Sequence, residues 1–225
     1  TVVNVVFLAV VVAALAFFTK NAARLIGYLR VGRRDDVRWN EIPARAGNLI
    51  RIGLFQQKIF RDSVAGPMHA AIFWGFLILG AGTTEMILEG IIPHFTYSNF
   101  LPDWLYRFYA VNQDFWGAVV LLAVSFALFR RLTKRVKRLL GAETHQNDPL
   151  LILSWIGALM LTMFVASAFL QILEPTTPQV MRPVSAALAS ALAALGLGAS
   201  SPGLVAVHAL TWWVHAFLVL GFLNY

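Results

Sequence analysis

Five long apolar runs constrain this chain more than any other feature: 2–18, 64–88, 108–129, 150–173 and 204–225. A helix needs about 20 apolar residues to cross the ~30 Å hydrocarbon layer, because each residue rises 1.5 Å. Five such runs in 225 residues leave too little polar chain to cover them, and small domains bury only part of their surface. Hydrophobic residues make up 59% of the chain and charged residues 13%. Soluble domains are roughly 45–50% apolar and about 25% charged. The expected fold class is all-α integral membrane, a five-transmembrane-helix bundle with lipid as the solvent of its outer faces.

The formal charge of +7 alone would suggest a polyanionic partner, but its distribution argues otherwise. Sixteen of the eighteen Lys and Arg residues fall in two stretches, Lys20 to Arg61 and Arg130 to Arg138. Both stretches lie between apolar runs, the pattern left by the positive-inside rule. No nucleic-acid partner is expected. The first run has its basic residues after it rather than before it, so it reads as an anchor and not a secretory signal. This sets the expected topology: multi-pass, N-terminus outside and C-terminus inside. Glu89, Asp103 and Glu174 then fall outside. The absence of cysteine excludes, within this chain, a disulfide framework, a thiolate-bound iron–sulfur cluster and covalently attached c-type haem. A non-covalent cofactor held by histidine remains open.

Between the runs, two segments stand apart. Residues 39–63 mix Leu49, Ile50, Leu54, Ile59 and Phe60 with Arg51, Lys58 and Arg61. They read either as an amphipathic helix at the lipid interface or as a solvated linker. Residues 174–203, an outside (periplasmic) connection, carry four prolines around an Ala/Leu-rich stretch, 184–197. That stretch is too short to span and is expected as a helix on the outer surface or packed over the bundle, a re-entrant segment being the alternative. The fifth run is still apolar at Tyr225, so residues 1–225 are expected to be the N-terminal part of a longer protein.

Candidate chemistry centres on histidine. His94 and His145 fall in loops, whereas His69, His208 and His215 fall in apolar runs, where an ionisable side chain is costly. His208 and His215 are seven residues apart, so they share a helix face about 10 Å apart. Histidines on facing helices can clamp a haem iron. The competing reading is a hydrogen bond across helices, worth about 0.6 kcal/mol. Small residues after His69 (Ala70, Ala71, Gly75, Gly80, Gly82) would admit a planar group. Glu85 and Asp114 sit towards the outer ends of their runs with Thr83, Thr84, Asn112 and Gln113. They are candidates for taking protons from a quinol; facing headgroups and water is the leading alternative.

The stretch 55–86, FQQKIFRDSVAGPMHAAIFWGFLILGAGTTEM, resembles the membrane domain of heterodisulfide-reductase-like iron–sulfur oxidoreductases. That group includes bacterial enzymes linking electron-transfer flavoprotein to menaquinone. The end of the chain, VHAFLVLGFLNY, resembles the same domain, which is similar to the five-helix cytochrome b gamma subunit of respiratory nitrate reductase. His69 and His215 match the family's haem-ligand positions. The resemblance implies a bacterial or archaeal cytoplasmic (inner) membrane, one or two b-type haems, a quinone site in the membrane and a cytoplasmic iron–sulfur or flavoprotein partner. Any iron–sulfur cluster would lie outside this chain. In the family a further histidine follows the fifth helix, beyond Tyr225. The nitrate reductase subunit has a second ligand deeper in its second helix, where this sequence has Leu79; His208 is a candidate replacement. The expected function is transmembrane electron transfer in a respiratory chain, as the membrane part of a quinone-linked oxidoreductase. The alternative is a haem-free scaffold or accessory subunit of a larger membrane complex. A transporter or channel is disfavoured by the lack of an inverted repeat and of a charged lining.

Overall fold

The computed structural model describes residues 2–32, 40–133, 147–175 and 182–225, and all the regular structure among them is helical. The seven α-helices are α1 (Val2–Arg30), α2 (Ile42–Asn48), α3 (Ala65–Ile91), α4 (Asp103–Thr133), α5 (Asn147–Leu173), α6 (Pro183–Ala194) and α7 (Leu204–Asn224). All but α2 and α6 are long and apolar enough to cross a membrane. Much of the basic sequence of both polar connections (residues 33–39 and 134–138) lies outside the described residues, as does His145.

The helices outlast their apolar runs because hydropathy marks solvent preference and not helicity. α1 continues from Phe18 through Lys20, Arg24 and Arg30, since Ala, Leu and Arg all favour helix. α4 begins at Asp103, earlier than the apolar run at 108. Its first turn is braced by Arg107 Nε on Asp103 Oδ2 at 2.8 Å, a favourable i,i+4 pair. Asp103, Trp104 and Tyr106, which precede the apolar run, therefore lie on the helix.

The five long helices pack as a ring: α3 on α4, α4 on α5, α5 on α7, with α1 closing it against α3 and α7. Buried Phe7 and Val11 of α1 meet Ala216 and Leu220 of α7, and Trp212 lies 5.0 Å centroid-to-centroid from Phe7. A second cluster joins Leu79, Val120, Val124 and Met160 from α3, α4 and α5. Lipid gives helices no hydrophobic reason to associate, so close packing must hold them. Glycine supplies it at several crossings. A Cβ on Gly75 would strike Val120, one on Gly117 would strike Met163, and one on Gly221 would lie 2.8 Å from Trp155. Outward faces stay apolar and exposed, with Leu122 at 71%, Phe76 at 63% and Leu210 at 63%, a surface that water would not tolerate.

Two shorter pieces position the candidate site. After α2 the chain runs through a π-helical turn (Leu49–Leu54) and a 3-10 turn (Ile59–Arg61) onto the start of α3. Asp62 Oδ1 accepts from Val64 N at 3.0 Å and Ala65 N at 2.9 Å, satisfying amide groups at the helix entry. Gly66 allows the backbone contact, because a Cβ there would sit 2.5 Å from the Ile59 carbonyl oxygen. The second piece, α6, packs on α4 and α5, with Ser185 and Ala189 buried. Its N-terminus is held by Asp114, eleven residues and about 16 Å into α4. The neighbouring Gln113 donates to the carbonyl of Ile78, the central residue of α3, at 2.8 Å. The start of α6 therefore lies at mid-bundle depth, not at the rim.

Candidate functional site

Near the middle of both α5 and α7, His215 Nδ1 lies 2.8 Å from Thr162 Oγ1. The Thr162 hydroxyl also reaches the Ala158 carbonyl at 2.8 Å and the Leu159 carbonyl at 3.1 Å. A hydroxyl has one hydrogen and two lone pairs. With the hydrogen directed to its own helix, as mid-helix threonines commonly do, the oxygen is left to accept from His215 Nδ1–H. The His215 ring is also within hydrogen-bonding reach of the Leu159 carbonyl. In the tautomer with the proton on Nδ1 the lone pair sits on Nε2. Two further contacts fix α7 against α5: Trp155 Nε1 donates to the Leu218 carbonyl at 3.0 Å, and the Trp155 ring meets Tyr225 at 5.9 Å.

His69 occupies the first turns of α3, at the basic end of the bundle. Its Nδ1 is 3.3 Å from Gln56 Oε1. An amide oxygen only accepts, so with this face of the Gln56 amide towards the ring the bond forms in the tautomer that carries its proton on Nδ1 and its lone pair on Nε2. Gln56 is buried at 4% exposure while Phe55 and Gln57 on either side are exposed. Its φ of +51° puts it in the left-handed region, which costs a non-glycine residue about 1–3 kcal/mol and persists only where surroundings enforce it. The surroundings are the π turn, with Phe55 N on the Ile50 carbonyl at 2.9 Å, and the Phe55 ring against Trp74 at 6.4 Å.

The remaining candidates separate. His208 lies one turn into α7, towards the opposite, acidic end, within electrostatic reach of Glu174. Glu85 is buried and accepts three hydrogen bonds: Tyr97 N at 2.7 Å, Tyr109 Oη at 2.7 Å and Thr96 Oγ1 at 2.9 Å. It thereby ties the connection after α3 to α4; beside it, burial and its charge push the Tyr97 phenol up. Asp114, at 1% exposure, takes Val184 N at 2.5 Å, Ser185 N at 3.2 Å and Ser185 Oγ at 2.6 Å. Neither carboxylate faces open solvent, so the expectation that they border headgroups and water gives way. Both turn inward because an α6 amide pair and a loop amide each need an acceptor where water is scarce.

Sequence reasoning missed Gln56, Thr162 and Ser185. Thr162 did carry a signal, as a hydroxyl in the middle of the apolar run 150–173. Gln56 carried none, since its role depends on a backbone conformation no local rule assigns to glutamine. Leu79 is a buried packing residue. Among the described residues no three of His, Cys, Asp and Glu cluster as a multidentate metal site. A haem iron asks less of the protein, two axial nitrogens, and an imidazole with Nδ1–H bonded and Nε2 free is the donor it takes. His69, at the basic end of α3, and His215, at the middle of α7, each offer one such nitrogen at different depths of the bundle, so each could fill one axial position and the two do not form a facing pair.

No family model and no solved structure matches the chain. The chain is 25% identical over 222 residues to a Bacillus subtilis protein named a probable iron-sulfur-binding oxidoreductase, FadF. The match takes in 97% of this chain but only 29% of that relative's length. The likeness supports a broad oxidoreductase-related family.

Proposed function

We propose that the chain is the membrane part of a quinone-linked oxidoreductase. It would carry electrons through b-type haem between the quinone pool (menaquinone by resemblance) and a cytoplasmic iron–sulfur or electron-transfer-flavoprotein partner. The observation that carries this reading is the pair of membrane-helix histidines, His69 and His215, each with Nδ1 engaged by a side-chain oxygen and Nε2 left for a metal. The relative's name supplies the iron–sulfur association, which in a chain without cysteine belongs to another part or partner. The bundle is then nitrate-reductase-gamma-like, with the basic end and His69 on the cytoplasmic side and His215 deeper. The segment 39–63 lies along the lipid headgroups with Arg51, Lys58 and Arg61 among them.

When bound, haem supplies a one-electron carrier whose potential the protein tunes. Of the two acidic candidates, Glu85 is the better proton acceptor for a quinol, because its Oε2 meets only the Tyr109 hydroxyl. Both oxygens of Asp114 are spent on α6. His208 is a reserve ligand. Full-length protein in proteoliposomes given a menaquinol analogue should show reduction of a b-type chromophore. A chromophore that dithionite reduces and the quinol does not would overturn the quinone assignment.

A further inference from the structure

Resting on the haem reading above, we infer that Gln56 and Thr162 are positioning residues. Each holds the ring of one candidate ligand, His69 or His215, by an oxygen on Nδ1–H so that Nε2 is the nitrogen offered to iron. The two pairs come from unrelated local structures, a left-handed residue before α3 and a mid-helix hydroxyl on α5. They nevertheless make the same bond to the same ring nitrogen, at 3.3 Å and 2.8 Å.

The chemistry explains why both oxygens are placed so. A neutral imidazole binds metal through whichever nitrogen lacks the proton, and a hydrogen bond to the other nitrogen decides which one that is. The same bond stops the ring turning about its outer torsion and makes it a more basic ligand. Neither oxygen is a bystander exposed to water. Gln56 is buried and held at φ +51°, and Thr162 is partly buried where α5 meets α7. Gln56 belongs to the segment that Asp62 and Gly66 pin to α3, so the position of His69 depends on that segment and not on α3 alone.

The test uses full-length protein in lipid and the variants Thr162→Val, Thr162→Ser, Gln56→Leu and Gln56→Glu. Thr162→Val and Gln56→Leu keep volume and remove the acceptor; Thr162→Ser and Gln56→Glu keep an oxygen. Loss of an outer-shell partner weakens metal affinity roughly ten- to a hundred-fold. Thr162→Val and Gln56→Leu should lose haem to that extent and titrate at a higher midpoint potential, since a less basic ligand favours ferrous iron. Thr162→Ser and Gln56→Glu should recover haem content. Wild-type haem content and potential in both acceptor-less variants would overturn the inference while leaving the haem reading intact. Nitrogen-15 NMR of histidine-labelled, haem-free protein reads the rings independently. Nδ1–H at both sites supports the positioning even if the wild type binds no haem, and Nε2–H overturns it.

Discussion

Thr162 on α5 and His215 on α7 meet at 2.8 Å across the helix interface, each near the middle of its own helix. That contact sets an imidazole near the midpoints of two helices long and apolar enough to cross a membrane, where an ionised side chain would be costly. Packing on the same interface supports it, with Trp155 against Gly221 and bonded to the Leu218 carbonyl. A histidine serving only to join helices would give the same bond, and ligand binding at Nε2 is what separates the two roles.

His69→Leu removes the donor at the basic end while adding apolar bulk to an already apolar helix. The variant should insert and accumulate normally yet lose the haem signal assigned to that end. Membrane fractionation with haem quantitation checks it, and unchanged haem content would sink the assignment.

Asp114→Ala strips the acceptor from Val184 N, Ser185 N and Ser185 Oγ at mid-bundle depth. Each buried group left unsatisfied costs about 1–3 kcal/mol. The expected result is a lowered thermal midpoint in detergent and faster proteolysis around α6. Ordinary stability with unchanged cleavage would mean that α6 is held elsewhere.

The glycines grade themselves by what a methyl would meet. Gly75→Ala confronts Val120, whose β-branched side chain has little rotamer freedom, and should destabilise by about 1–3 kcal/mol. Gly117→Ala meets chiefly the end of the flexible Met163 side chain, with the Phe164 ring at 3.1 Å beside it, and should cost less. Gly80→Ala meets nothing within 4 Å and should be neutral or stabilise by up to about 1 kcal/mol. Thermal unfolding of the three variants in one detergent gives the order directly.

Glu85→Gln retains the bond from Tyr109 and most of the connection after α3. If Glu85 takes a quinol proton, the variant should slow quinol-driven reduction roughly a hundred- to ten-thousand-fold, the usual contribution of general-base catalysis, and leave dithionite reduction unchanged. Equal rates by both reductants would confine Glu85 to its structural bonds.

Much of the fold was legible because bilayer thickness dictates apolar run length, and all five long helices fall where such runs lie. Their ends were not, because α1 and α4 extend on helix propensity and a local Asp103–Arg107 pair beyond the apolar stretch. The histidines stood out as ionisable residues in apolar runs. Their partners did not, because Gln56 and Thr162 lie 13 and 53 positions away in sequence and meet them only after the helices pack. The depth of α6 was hidden for the same reason: it is set by Asp114, 70 residues earlier.

The most direct measurement is a dithionite-reduced minus oxidised visible spectrum, with pyridine haemochrome quantitation, of full-length wild type and His215→Leu purified in parallel. A b-type α band at one or two haems per chain, diminished by at least one haem in the variant (or abolished if there is only one), is the predicted result. A well-folded wild type with no α band would contradict the account and leave a haem-free scaffold in its place.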